Sequence, residues 1–350
     1  MIYVKPQIKK LQMYVPGASV GGVKLSANEN PFGASAQVDE VLTQFKDYAL
    51  YPDGGSTLLK EKVAHFLNVS TEQLIFGAGV DEVIQMISRS VLTPGANIIQ
   101  ASPTFPQYEH HAIIEGADTI NVPLQAGVHD LDGMLAAINK KTKMTWVCNP
   151  NNPTGTYVGE IAFKKFLDEV PSEILVIVDE AYIEYVTAFD FPNTLELFAH
   201  YPNVVILRTF SKVYGLASFR IGYGIGSADL IYDLEVGRLP FNTGTLAQKV
   251  ATAALADQDF VKMSITKNNA GRGQYTAFLA EHQIPYYTSQ ANFIFIPSAR
   301  KLGLLIGAKL AEAGYIVRAF AIGVRITIGA EEDNKGVIAC LKENIDLLKN

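Results

Sequence analysis

The sequence predicts an α/β fold: a mostly parallel central sheet with a smaller α+β domain beside it. Three observations carry this. Short apolar runs recur through the middle of the chain, amphipathic stretches separate them, and the texture changes beyond about residue 237. Strands alternating with helices imply βαβ units and a parallel sheet, which places ligands at the carboxyl ends of its strands.

In order along the chain, "LIF" (74–76), "NIIQA" (97–101), "MTWVC" (144–148), "ILVIVD" (174–179) and "VVILR" (204–208) read as buried strands. "DEVIQMISRSVL" (81–92) reads as a helix, because Val83, Ile84, Ile87 and Val91 recur at helical spacing, and "IAFKKFLDEV" (161–170) reads as another. Farther on, "QKVATAALAD" (248–257) and "KLGLLIGAKLAEAG" (301–314) read as helices, while "NFIFIP" (292–297) and "VRITIG" (324–329) read as alternating strands. The expected division is an N-terminal arm, 1–29, associated with the small domain; a large domain, 30–236; and a small α+β domain, 237–350.

The 350 residues suit one large domain or two ordinary ones, and a net charge of −6 argues against a general nucleic-acid binder. Cys148 and Cys340 have neither metal-ligand spacing nor the density of a disulfide framework. His110 and His111 are adjacent and no paired-ligand spacing occurs, so no metal site is expected. The opening "MIYVKPQIKKLQMYVPG" does not read as a signal peptide, and "ILVIV" is too short to span a bilayer. A cytoplasmic protein without membrane or nucleic-acid partners is the expectation.

Polar chemistry gathers at the strand ends. "GAGVDEVIQMI" (77–87) follows a strand with two glycines and opens a helix, which reads either as a phosphate site or as a plain tight turn. "NPNNPTG" (149–155) is a rigid turn that either presents the Asn152 amide or is purely structural. In "VIVDEAY" (176–182), Asp179 is either a helix N-cap or a desolvated carboxylate that needs a cationic or hydrogen-bonding partner. "SPTFPQY" (102–108) offers Tyr108 for stacking or for packing. "TFSKVYGLASFR" (209–220) places Lys212 between Ser211 and a run of small and apolar residues, eight positions before Arg220.

Taken in order, "LSANENPFG", "YPDGG", "NPNNPTG", "VDEAY" and "SKVYGLASFRIGY" resemble the fold-type I pyridoxal-phosphate aminotransferases, from residue 25 to residue 334. Within them the sequence is most similar to the histidinol-phosphate aminotransferase group. The resemblance implies a parallel sheet with helices on both faces and a pyridoxal 5'-phosphate cofactor. Lys212 matches the lysine that forms a Schiff base with the cofactor aldehyde and then serves as general acid–base, its amine activated by desolvation or by neighbouring positive charge, to which the aldimine and Arg220 contribute. Asp179 matches the acid that keeps the pyridine nitrogen protonated as an electron sink. Asn152 and Tyr182 match groups that hydrogen-bond the ring's phenolic oxygen, and Tyr108 matches the aromatic stacked on the ring. The phosphate is expected among the N–H groups of Val80 and Asp81, the hydroxyls of Thr209 and Ser211, and Arg220. Tyr51 matches a tyrosine reaching the phosphate from a neighbouring subunit, so a homodimer with shared sites is implied. Asn28, Arg318 and Arg325 match substrate-binding positions.

The implied reaction moves the amino group of L-histidinol phosphate to 2-oxoglutarate, in histidine biosynthesis. An aromatic amino-acid aminotransferase and a threonine-phosphate decarboxylase share the scaffold. A cofactor-binding regulator is not expected, since the motifs begin by residue 25, ahead of which such regulators carry a DNA-binding domain. Two departures stand out. "GLAS" replaces the usual "GLAG", putting Ser218 at a glycine position that a serine fills if φ stays negative. Arg318 and Arg325 are only seven positions apart, which puts the substrate pocket's shape in question.

Overall fold

A computed structural model describes residues 4–13, 21–299 and 301–349. Part of the anticipated arm, residues 1–3 and 14–20, lies outside the described residues.

Among the described residues, eleven strands form two sheets. They are β1 (Val23–Leu25), β2 (Leu74–Gly77), β3 (Asn97–Ser102), β4 (Asp118–Pro123), β5 (Thr142–Cys148), β6 (Leu175–Asp179), β7 (Val204–Thr209), β8 (Gly222–Ile225), β9 (Phe293–Pro297), β10 (Tyr315–Phe320) and β11 (Gly323–Thr327). The larger sheet has the order β2-β8-β7-β6-β5-β3-β4. Its strands run parallel except β8, which is antiparallel to both neighbours. The smaller sheet has the order β1-β10-β11-β9.

The apolar runs form strands because both faces of the large sheet are covered. Along β6, Val176 and Val178 pack into one apolar cluster, and Leu175 and Ile177 pack into another on the opposite face. A strand buried on both sides reads as a continuous apolar run. Each aliphatic side chain so buried contributes about 1.5–3 kcal/mol against exposure. The helix Val80–Val91 lies on one face with Val83, Ile84 and Ile87 fully buried, as the helical spacing predicts.

The expected strands at 74–76, 97–101, 144–148, 174–179 and 204–208 all form, with ends within about two residues. A third apolar cluster fills the small sheet, where Ile294, Ile296, Val324 and Ile326 meet the helix Leu302–Glu312. The helix Thr245–Ala256 lies beyond residue 237, yet Ala247, Val250, Ala251 and Leu255 join the large sheet's cluster and the helix packs on Ala36–Gln44 and Thr57–Leu67. β1 pairs in parallel with β10, so the chain enters along the edge of the small sheet. No helix among the described residues is long and apolar enough to cross a membrane.

Candidate active site

A cavity of about 560 Å³ opens between the carboxyl ends of the large sheet and one face of the small sheet. On the large-sheet side, each functional side chain stands where a buried strand stops.

β6 ends at Asp179, which is 3% exposed. Its Oδ1 accepts from the Ala181 N–H (3.1 Å) and its Oδ2 from the Tyr108 hydroxyl (2.5 Å). Burial pushes its pKa up to about 6, against the pull of those two donors. The nearby Asp81 and Glu180 raise it further. A carboxylate this deep, with no ion pair of its own among the described residues, wants a cation from outside the protein.

β5 ends at Cys148 and runs into the turn 149–155. The Asn149 side chain accepts from Val158 N–H (2.9 Å) and donates to the Val158 carbonyl (3.2 Å), and Asn151 donates to the Thr154 hydroxyl (2.9 Å). Two asparagines thus lock the turn, and the third, Asn152, reaches the cavity, where its Oδ1 accepts from Arg325 (2.5 Å).

β7 ends at Thr209, whose hydroxyl accepts from the Ser211 N–H (3.0 Å). Arg220 donates to the Ser211 hydroxyl (3.3 Å) and to Asp81 Oδ2 (3.2 Å). Two glycines let these parts converge. A Cβ on Gly79, whose φ is +78°, would stand 2.3 Å from the Arg220 guanidinium, and one on Gly222 would stand 2.7 Å from the Val80 amide nitrogen. The N-terminus of the helix Val80–Val91, with Arg220, Ser211 and Thr209 beside it, makes an anion cradle. Ser218 lies in the exposed 3-10 turn Ala217–Phe219, outside the positive-φ residues, so the missing glycine costs no strain.

Lys212 follows at once. Its Nζ donates to the Ala27 carbonyl (2.8 Å) and stands 5.8 Å from the centre of the Tyr182 ring. The side chain is half-buried by surface but ringed by protein, and burial lowers its pKa to about 8. Arg325 is the next cause, while Arg220, the expected source of positive charge, contributes least. Tyr182 accepts at its hydroxyl from Asn28 (2.8 Å). Asn28 is in turn tied to Thr327 through its side chain and its N–H (3.0 Å each) and to Asn292 through its carbonyl (3.0 Å). It lines the cavity, but its amide is spent on holding Tyr182.

The small sheet supplies the opposite wall. Arg318 on β10 and Arg325 on β11 are direct cross-strand partners, because their seven-residue separation closes as a hairpin with Phe320 paired to Gly323. Like charges directly opposite repel, so the pair is suited to an anion that both can reach. Lys24 on β1 pairs with Ile316 and so shares that sheet face, and all three line the cavity.

One expectation changes. Tyr108 does not offer a ring face to the cavity. It is 0% exposed, stacked on Trp146 with ring centres 4.3 Å apart, and lies behind Asp179. Its helix, Gln107–Glu115, starts one residue earlier and turns Tyr108 and Ala112 inward together. Phe105, on the loop before that helix, lines the cavity instead. Tyr51, expected at a neighbouring subunit's phosphate, does not line this chain's own cavity: it is 83% exposed and stacks on Phe241 (4.8 Å). Sequence reasoning also passed over Lys24, Cys148 and Phe320 among the lining residues. "SPTFPQY" signalled Phe105 as plainly as Tyr108; nothing in "VKL" signalled Lys24.

The lining fits a phosphorylated pyridine aldehyde. A lone buried carboxylate suits a ring cation, an amine of lowered pKa suits the aldehyde, and a helix N-terminus with an arginine suits the phosphate.

Comparisons with known proteins agree. The profile of the family described as "Aminotransferase class I and II" matches residues 20–341. A protein of Bacillus cereus named histidinol-phosphate aminotransferase 1 is 53% identical, over 98% of this chain and 97% of its own. A Bacillus anthracis protein named histidinol-phosphate aminotransferase 2 is 50% identical, over 98% of this chain and 96% of its own. The crystal structure of histidinol-phosphate aminotransferase from Sinorhizobium meliloti in complex with pyridoxal-5'-phosphate superposes with a TM-score of 0.92, at 26% identity, covering 99% of this chain and 98% of that one.

Proposed function

The chain belongs to the class I and II aminotransferases, and from that membership and the cavity's chemistry we infer that it is a histidinol-phosphate aminotransferase. It uses pyridoxal phosphate to move an amino group between L-histidinol phosphate and 2-oxoglutarate. One observation carries the reading: a single cavity joins an amine whose pKa burial has lowered to about 8 and a buried carboxylate that has no ion pair among the described residues.

Bound pyridoxal phosphate supplies an aldehyde that accepts the amino group and a ring that draws electrons from the reacting carbon. The protein's residues do the rest. Lys212 would hold the cofactor covalently through its aldehyde, and its amine, when free, would carry the proton to and from the reacting carbon. Asp179 holds the ring nitrogen's charge. Asn152 and Tyr182 orient the ring by hydrogen bonds, Phe105 packs against it, and the Arg220 cradle takes the cofactor phosphate. Arg325, braced by Asn152 and the Ser26 carbonyl, and Arg318 take the substrate's phosphate or carboxylate.

Tyr51 belongs to a second copy's site in this reading. Its exposure, together with that of Tyr48, Leu50, Leu58 and Phe241, supports a homodimer with shared sites. The burial pattern supports a division into large and small units that falls within the helix Gln258–Glu281 rather than at residue 237. A cytoplasmic setting accords with two free, buried cysteines.

The test is a donor panel with 2-oxoglutarate as acceptor. Glutamate formation from L-histidinol phosphate, with kcat/KM at least tenfold above that for phenylalanine, is expected. Preference for phenylalanine, or carbon dioxide release from threonine phosphate without any keto acid, would replace this reading.

A further inference from the structure

Tyr108 is fully buried, far from solvent, and its hydroxyl has a definite task. It donates to Asp179 Oδ2 at 2.5 Å while the Ala181 N–H holds Oδ1 at 3.1 Å. The ring that carries this hydroxyl cannot drift. One face stacks on Trp146, nearly parallel at 10°, and Phe105 meets it edge-on at 5.5 Å. A hydrogen bond to a carboxylate favours the ionised form and fixes the direction in which the charge points.

We propose that Tyr108 is a positioning residue for the cofactor: its hydroxyl keeps the Asp179 carboxylate ionised and oriented for the cofactor's ring nitrogen. The inference rests on the cofactor assignment above and adds a residue to it. The groups around Asp179 make Tyr108 decisive. Asp81 and Glu180 oppose ionisation, and burial opposes it most. The Cys148 thiol, pushed up to about 12 by burial, stays neutral, as does the buried Tyr182 phenol. Lys212, Arg220 and Arg325 share the cavity, but none forms an ion pair with Asp179. Among the described residues, only the Tyr108 hydroxyl and one main-chain N–H hydrogen-bond the anion. The Tyr108 phenol is itself raised well above the usual value, first by burial and then by Asp179, so it remains a donor at every working pH.

The test uses Tyr108→Phe, which removes the hydroxyl and leaves the stack on Trp146. Apoprotein is titrated with pyridoxal phosphate and with its 1-deaza analogue, in which a C–H replaces the ring nitrogen. Trp146, the chain's only tryptophan, reports binding by fluorescence. The substitution should weaken pyridoxal phosphate about tenfold and leave the analogue within about twofold. Equal weakening of both ligands would show a merely structural role and overturn the proposal, as would no weakening of either. Failure of unaltered apoprotein to bind pyridoxal phosphate at all would instead remove the cofactor assignment. Should the variant not fold, the wild-type apoprotein decides by NMR. A slowly exchanging, downfield Tyr108 hydroxyl proton is expected, and exchange at the solvent rate would refute the proposal.

Discussion

On the large-sheet wall of the cavity, Asp179, Asn152, Thr209 and Lys212 stand where buried strands end, and the main chain fixes where each one points. On the small-sheet wall, Lys24, Arg318 and Arg325 project from the face of a sheet, and long side chains set where the charge falls. Buried β5, β6 and β7 cannot shift without disturbing two apolar clusters. Lys24 and its ion-pair partner Glu29 lie partly in solvent, 2.5 Å apart. The first wall is tied throughout to the core, whereas on the second Lys24 and Arg318 stand on partly exposed strands while Arg325 is buried on β11.

Substitutions on the two walls should therefore fail differently. The largest effect belongs to Lys212→Ala. Single-turnover transamination should fall by about 10³-fold or more, while cofactor still binds noncovalently, as seen by equilibrium dialysis. Retained turnover would detach the chemistry from this wall.

Asp179→Asn should lower kcat by about 10²-fold and yet stabilise the apoprotein at pH 7. The carboxyl titrates at about 6 when folded and at its ordinary 3.8 when unfolded. Between those values the folded chain binds more protons, so stability falls as pH rises through the window and remains lower above it. Asparagine removes that loss. Thermal unfolding of both apoproteins at pH 4 and pH 7 checks the sign: the variant's advantage should appear only at the higher pH.

On the other wall the losses should be smaller. Arg325→Gln should reduce kcat/KM about 30-fold for both substrates, and Lys24→Met about fivefold for the phosphate-bearing amine. Cofactor affinity should be unchanged in Lys24→Met, and a fall in it there would erase the distinction between the walls.

The same contrast governs what the sequence revealed. β5, β6 and β7 are legible because short, mostly apolar runs stop at Asn149, Asp179 or Arg208. β8, "GYGI", is not, since half of it is glycine; nor is β1, three residues long at a sheet edge. The helix Gln258–Glu281 buries only scattered positions such as Val261, Asn268 and Tyr275, which leaves little apolar periodicity to read. Lys212, Asp179 and Arg220 were found by motif and meet in one cavity. For Tyr108 the sequence leaves stacking and packing both open, because it does not say where a helix begins to turn its side chains inward. Phe105 and Tyr108 sit three residues apart, and one turn of chain sends the first to the cavity and the second beneath it.

The central claim is that the Lys212 amine, its pKa lowered to about 8, is the attachment point of the cofactor. Borohydride reduction of the holoprotein, followed by digestion and mass spectrometry, tests it most directly. The account predicts a phosphopyridoxyl group on the peptide containing Lys212 and on no other; its appearance on another lysine, or nowhere, would contradict the account.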